Sequence, residues 1–60
     1  MVAMTNAQTE AVQRIKTRWA WVSEPTSYIG GDDAVIVAVG TTEGKPIMWI
    51  GIEADGRTNS

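Results

Sequence analysis

The sequence predicts an α+β fold in a single domain spanning residues 1–60, in which an N-terminal amphipathic helix packs on a small antiparallel sheet. Two observations carry this prediction. Apolar residues recur every three or four positions between residues 7 and 22, as on one face of a helix. Residues 34–39 and 47–53 are short, apolar and rich in β-branched side chains, and turn-forming residues separate them, which is typical of a β-hairpin.

The helix is predicted to span residues 5–23. Thr5 and Gln8 have the spacing of a capping box, in which a hydroxyl and an amide satisfy the first free backbone N–H groups. Pro25 disfavours helical geometry at the residue before it, so the helix is expected to end near Ser23. Residues 19–22 are also compatible with an extended chain.

The hairpin has a predicted register. With Glu43 and Gly44 at the centre of the turn, strand alternation places six large apolar side chains on one face of the sheet. We assign this face to the helix; its members are Val35, Val37, Val39, Met48, Ile50 and Ile52. Two further short strands are expected at residues 27–29 and 57–60, after turns at residues 30–33 and at Asp55-Gly56.

Size and composition limit how such a domain is stabilised. The chain has 60 residues and contains neither Cys nor His, which excludes disulfides and the usual thiolate and imidazole metal sites. Domains this small bury little apolar surface, and natural ones gain stability from a cross-link, a metal or another chain. By elimination, the sequence favours self-association or a bound partner.

We expect no catalytic, cofactor-binding or metal-binding residues. There is no His for general-base catalysis and no Cys nucleophile, and most carboxylates fall in predicted turns or on the exposed side of the helix. Gly30-Gly31 matches no phosphate-binding loop, and the adjacent Asp32 and Asp33 lack the alternating ligands of a calcium loop. The protein is therefore predicted not to be an enzyme.

The first residues do not resemble a signal peptide, because polar Thr5 and Asn6 follow a short apolar start. No window approaches the roughly 20 apolar residues of a membrane span. We therefore expect a soluble, cytoplasmic protein that does not bind membranes.

Aromatic residues indicate where the chain meets a partner. A single helix covers one face of a sheet, yet large side chains also fall on the other face, and Trp and Tyr are enriched in interface anchors. The predicted interface residues are Trp21, Tyr28, Ile36, Ile47 and Trp49. The leading hypothesis is a protein-interaction or assembly module that self-associates through this face or through a sheet edge. The alternative for the face is that the segment 24–33 covers it with Tyr28.

Three other functions remain open. The first is a small inhibitor or regulator of a host protein complex, of the kind that viruses encode, which would use the same surface. The second is a nucleic-acid-binding regulator that uses Arg14, Arg18 and Lys45, although a net charge of −2 opposes phosphate binding. The third is a small-ligand binder whose site forms between copies.

Overall fold

The computed structural model describes residues 2–29 and 32–59 and shows the predicted α+β fold. Helix α1 packs on one face of a five-stranded antiparallel sheet. The elements are α1 (Asn6–Arg18), β1 (Trp21–Val22), β2 (Thr26–Ser27), β3 (Val35–Gly40), β4 (Met48–Ile52) and β5 (Thr58–Asn59). The strands lie in the order β1, β3, β4, β5, and β2 pairs with β3 on the same side as β1.

The start of α1 confirms the predicted capping box. Thr5 is the N-cap residue, its hydroxyl accepts a hydrogen bond from the backbone N–H of Gln8, and the Gln8 side chain accepts one from the backbone N–H of Thr5. The predicted end of the helix at Ser23 is wrong, because α1 ends at Arg18.

The helix ends early because the next residues belong to the sheet. Trp21 and Val22 form β1 and pair with Gly40 and Val39 of β3. Tryptophan and valine suit an extended strand, and pairing with β3 satisfies their backbone groups as a helix would. Trp19 has extended backbone geometry and marks the change of direction.

Strands β1 and β2 together form one interrupted edge. From Val22 to Thr26 the chain advances four residues, while their partners Val39 and Ile36 are three apart, so this edge holds one extra residue. At the interruption the Ser23 hydroxyl accepts the backbone N–H of Ala38 at 2.8 Å, in the place of a strand carbonyl. Such an irregular edge resists pairing with another strand.

Strand β2 differs from the short strand predicted at residues 27–29. It comprises Thr26 and Ser27, although Tyr28 stays beside β3 by donating its backbone N–H to the carbonyl of Ala34. Of the predicted turn at residues 30–33, Gly30 and Gly31 lie outside the described residues. Asp33 has a positive φ of 55°, as expected of a turn residue.

The β3–β4 hairpin has the predicted register. Val35 pairs with Ile52, Val37 with Ile50 and Val39 with Met48. A turn centred on Glu43 and Gly44 closes it, with the backbone N–H of Lys45 donating to the carbonyl of Thr42 at 3.1 Å. The boundaries of β3 and β4 lie close to the predicted ranges 34–39 and 47–53.

The β4–β5 hairpin has a longer turn than the predicted two residues. Its loop is Ala54–Gly56, because the backbone N–H of Glu53 donates to the carbonyl of Arg57 and that of Gly56 donates to the carbonyl of Glu53. Gly56 has a positive φ of 93°, as a three-residue hairpin loop requires. Strand β5 comprises Thr58 and Asn59, and Ser60 of the predicted strand 57–60 lies outside the described residues.

The core lies between α1 and the face of the sheet that the sequence assigns to it. The helix contributes Ala11, Val12 and Ile15 to this core. The sheet contributes Val35, Val37, Val39, Ile50 and Ile52, with Met48 packed partly buried against them. No helix in the described part of the chain is long and apolar enough to cross a membrane. Within residues 2–29 and 32–59, no three acidic, His or Cys side chains lie close enough to hold a metal ion.

Candidate interaction surface

The face of the sheet opposite α1 carries four of the five predicted interface residues, and we call it the open face: Trp21, Tyr28, Ile36 and Trp49. Strand pairing places them there, because directly paired residues share a face. Trp21 pairs with Gly40, and Trp49 pairs with Ala38. The described residues include one helix, and its core contacts lie on the other face.

Trp49 is the largest exposed apolar side chain on the open face, with 54 % of its surface accessible. Its partner Ala38 is only 1 % exposed although it lies on the same face. Because no helix covers this face in the described residues, the burial of Ala38 indicates that neighbouring side chains lie over it. This fits the pairing of a large indole with a small alanine.

Tyr28 lies on the same face at the opposite end. A Cβ atom placed on Gly51 would lie 3.8 Å from Cδ2 and Cε2 of Tyr28, so the phenol ring packs beside this glycine. The ring covers only part of the face, because Tyr28 remains 45 % exposed. Tyr28 therefore covers one end of the open face and leaves Trp49 exposed.

A shallow depression of about 250 Å³ lies beside Tyr28. Its lining includes the small residues Ala34 and Gly51 and the polar residues Asp32, Glu53 and Asn59. The open face thus has a projecting indole toward one end of β4 and a depression with two carboxylates toward the other.

Ile47 is exposed, with 65 % of its surface accessible, but it lies in a bend just before β4. Its backbone N–H donates to the carbonyl of Val39, whose strand partner is Met48. The alternation that assigns Ile47 to the same face as Trp49 therefore stops at Met48, and Ile47 lies at the margin.

The three predicted nucleic-acid contacts are not brought together. Arg14 and Arg18 line a groove of about 520 Å³ between α1 and the β4–β5 side of the sheet. Lys45 lies in the β3–β4 turn and does not line this groove. The third cation of the groove is Arg57, whose guanidinium forms ion pairs with Asp55 at 2.8 Å and Glu53 at 3.4 Å.

Sequence reasoning missed the depression and the position of Arg57. Both depend on β5, because Asn59 pairs with Gly51 and Arg57 accepts a hydrogen bond from Glu53. The available signal was Gly51, a residue without a side chain in a strand of large ones, which marks a place where another group approaches closely.

Compared with protein-family models, with curated proteins and with solved structures, the chain matches none of them. The arguments about its function therefore start from the geometry of its own residues.

Proposed function

We propose that this protein is a small assembly module that binds a second copy of itself through the open face. The observation that carries the proposal is the exposure of Trp49 and Tyr28 on the face opposite the only described helix. An exposed apolar cluster of this kind commonly marks a protein contact. Covering it would add buried apolar area to a domain whose own core is small.

The shape of the face supports a second copy as the partner. In a two-fold dimer each patch meets its own copy, so a projection at one end must fit a depression at the other. Trp49 projects from β4, and the depression beside Tyr28 lies on the same face. The indole N–H of Trp49 can donate to a carboxylate, and Asp32 and Glu53 line that depression. Each copy would thus place its Trp49 against the partner's Tyr28.

Native mass measured by analytical ultracentrifugation across micromolar concentrations tests this function. We expect a concentration-dependent dimer of the unmodified chain. Trp49→Ala is expected to shift the dissociation constant upward by at least about tenfold, since buried tryptophan anchors dominate interface energies. Ile29→Ser is the matched control, because it removes a fully exposed apolar side chain that does not line the depression beside Tyr28, and it should leave the mass unchanged.

Two results would contradict self-association through the open face. One is a folded monomer at all concentrations, and the other is a dimer whose dissociation constant is unchanged by Trp49→Ala. A monomer that forms a stable complex with a different protein through Trp49 would support the inhibitor or regulator instead.

A further inference from the structure

The two edges of the sheet differ in how well they are protected. The β1–β2 edge is interrupted at Ser23–Pro25 and holds an extra residue. On the other side, the described part of β5 pairs only with Gly51 and Ile52, so Met48–Ile50 of β4 has no neighbour there among the described residues. Among the described residues, the second edge is therefore open at Met48–Ile50, three of the five residues of β4.

The backbone of Trp49 points toward this open edge. Backbone groups alternate between the two sides of a strand. Glu53 donates its N–H to Arg57 on the β5 side, and Trp49 lies four residues earlier with the same orientation. Its N–H and C=O are thus placed to pair with an added strand, which would extend the line of β5.

A strand added here would enter the groove between α1 and β4. The groove has an apolar floor, formed by residues that include Ile15, Trp19, Met48 and Ile50. Arg14 and Arg18 lie along it on successive turns of α1, and neither forms a salt bridge with a described residue. Among residues 2–29 and 32–59, no carboxylate lines this groove, although the chain as a whole is acidic.

We propose that this groove binds an extended acidic segment of a partner protein, which adds as a strand to β4 at Met48–Ile50. Strand addition supplies backbone hydrogen bonds, and side chains that alternate along the added strand supply specificity. Acidic side chains of the added strand that face α1 would reach the guanidinium groups of Arg14 and Arg18. The aliphatic stems of these two arginines would cover the apolar floor. A nucleic acid fits less well, because the described part of the groove has two cations outside an ion pair, Arg14 and Arg18, and the net charge is −2.

The test uses a short synthetic peptide in which glutamate and valine alternate, titrated into the isotope-labelled protein and followed by NMR. We expect saturable binding, shifts at the amide of Trp49 and slower hydrogen exchange of that amide. The double variant Arg14→Gln and Arg18→Gln is expected to weaken binding by about tenfold or more, as is a rise in salt. The double variant Lys16→Gln and Lys45→Gln removes the same charge outside the groove and should bind as the unmodified chain does.

Three comparisons can overturn the proposal. A peptide with lysine in place of glutamate must bind far more weakly, and equal binding would remove the charge argument. The glutamate peptide N-methylated along one edge lacks the strand hydrogen bonds, so undiminished binding would exclude strand addition. If the glutamate peptide does not bind at millimolar concentration, the groove does not bind an acidic strand. If a single-stranded oligonucleotide binds the same groove more tightly than the peptide does, the ligand of the groove is a nucleic acid instead.

Discussion

The side-chain nitrogen of Gln8 lies 2.7 Å from the carbonyl oxygen of Asp33 and donates a hydrogen bond to it. The same nitrogen donates to the carbonyl of Ile52 at 3.2 Å, and the side-chain oxygen accepts the backbone N–H of Thr5 at 2.9 Å. Gln8 is 1 % exposed, and its bond to Ile52 is buried, whereas the bonds to Asp33 and Thr5 are partly buried. One amide thus joins the start of α1 to the end of β4 and to Asp33, two residues before β3 begins.

Replacing this amide should be among the most destabilising single changes outside the apolar core. We expect Gln8→Ala to lower the free energy of unfolding by about 2–3 kcal/mol, because it removes a buried hydrogen bond to Ile52 together with the partly buried bonds to Asp33 and Thr5. Chemical denaturation followed by tryptophan fluorescence measures the change. Gln13→Ala is the control, since Gln13 is exposed on the same helix and its replacement should cost well under about 0.5 kcal/mol. Equal losses in the two variants would contradict this role.

Gln8→Glu should lower the free energy of unfolding by an amount that depends on pH. A carboxylate at this position accepts but cannot donate, so it would face the carbonyls of Asp33 and Ile52 without a proton between them. As pH falls and the introduced carboxyl is protonated, it regains one donor. The loss of stability relative to the unmodified chain should therefore narrow toward acid pH, measured as paired unfolding curves. A difference that is constant with pH would contradict this account.

Gly44 in the β3–β4 turn and Gly56 in the β4–β5 loop form a matched pair that tests how closely Gly56 packs against α1. Both have positive φ, but a Cβ on Gly56 would lie 3.0 Å from the carbonyl oxygen and 3.2 Å from Cβ of Ala7, whereas nothing lies within 4 Å of one on Gly44. Gly44→Ala should cost about 1 kcal/mol of unfolding free energy for the backbone alone. Gly56→Ala should cost about 1–3 kcal/mol more, because the start of α1 must move. Equal melting temperatures for the two variants would show that this contact is unimportant.

Ser23 should matter more for stability than its place at a sheet edge suggests. Its hydroxyl accepts the backbone N–H of Ala38, a residue that is almost fully buried. We expect Ser23→Ala to lower the unfolding free energy by about 1–2 kcal/mol and to speed hydrogen exchange at the Ala38 amide. Ser27→Ala, at an exposed position on the same edge, should change neither quantity. An unchanged rate of hydrogen exchange at the Ala38 amide would show that the Ser23 hydroxyl does not take the place of a strand carbonyl as its acceptor.

Asp55 should contribute to the loss of stability as the pH becomes acidic. The pKa of Asp55 is lowered below its ordinary value of 3.8, chiefly because the backbone N–H of Arg57 donates to its carboxylate, and the Arg57 guanidinium adds to the effect. A lowered folded-state pKa means that the contribution is present above pH 3.8 and is lost as pH falls through the lower value.

The variant Asp55→Asn checks this assignment. Asparagine keeps a side-chain oxygen as acceptor but removes the charge. The variant should therefore lose less stability than the unmodified chain as the pH falls below about 4, and it should keep the same fold at neutral pH. Thermal melts at several acid pH values measure the slope. A slope equal to that of the unmodified chain would assign the loss of stability at acid pH to other carboxylates.

Much of the fold could be predicted because its determinants are local. The capping box at Thr5 and Gln8 depends on residues three apart, and the β3–β4 register follows from alternation on either side of one turn. The same alternation places Trp49 and Ile36 on the face opposite the helix. What these patterns do not contain is the partner of each strand beyond the hairpin.

In the candidate surface, too, some features follow from local sequence and others depend on tertiary contacts. Tyr28 was among the predicted interface residues, but its packing beside Gly51 requires β2 and β4 to lie on either side of β3. Arg57 was predicted only as the start of a short strand, and its place in the groove was not, because its position beside Arg14 depends on the path of the last hairpin. Contacts between residues distant in sequence decided both features.

By itself the sequence determined the fold class, the register of the central hairpin and the apolar character of both sheet faces, because each follows from side-chain periodicity within a short segment. Tertiary structure decided where α1 ends, since Trp21 and Val22 satisfy their backbone groups by pairing with β3. It also decided the second role of Gln8, whose amide caps the helix and also bonds to carbonyls 25 and 44 residues away. Those carbonyls come within reach only once the sheet has formed, so no local pattern could reveal them.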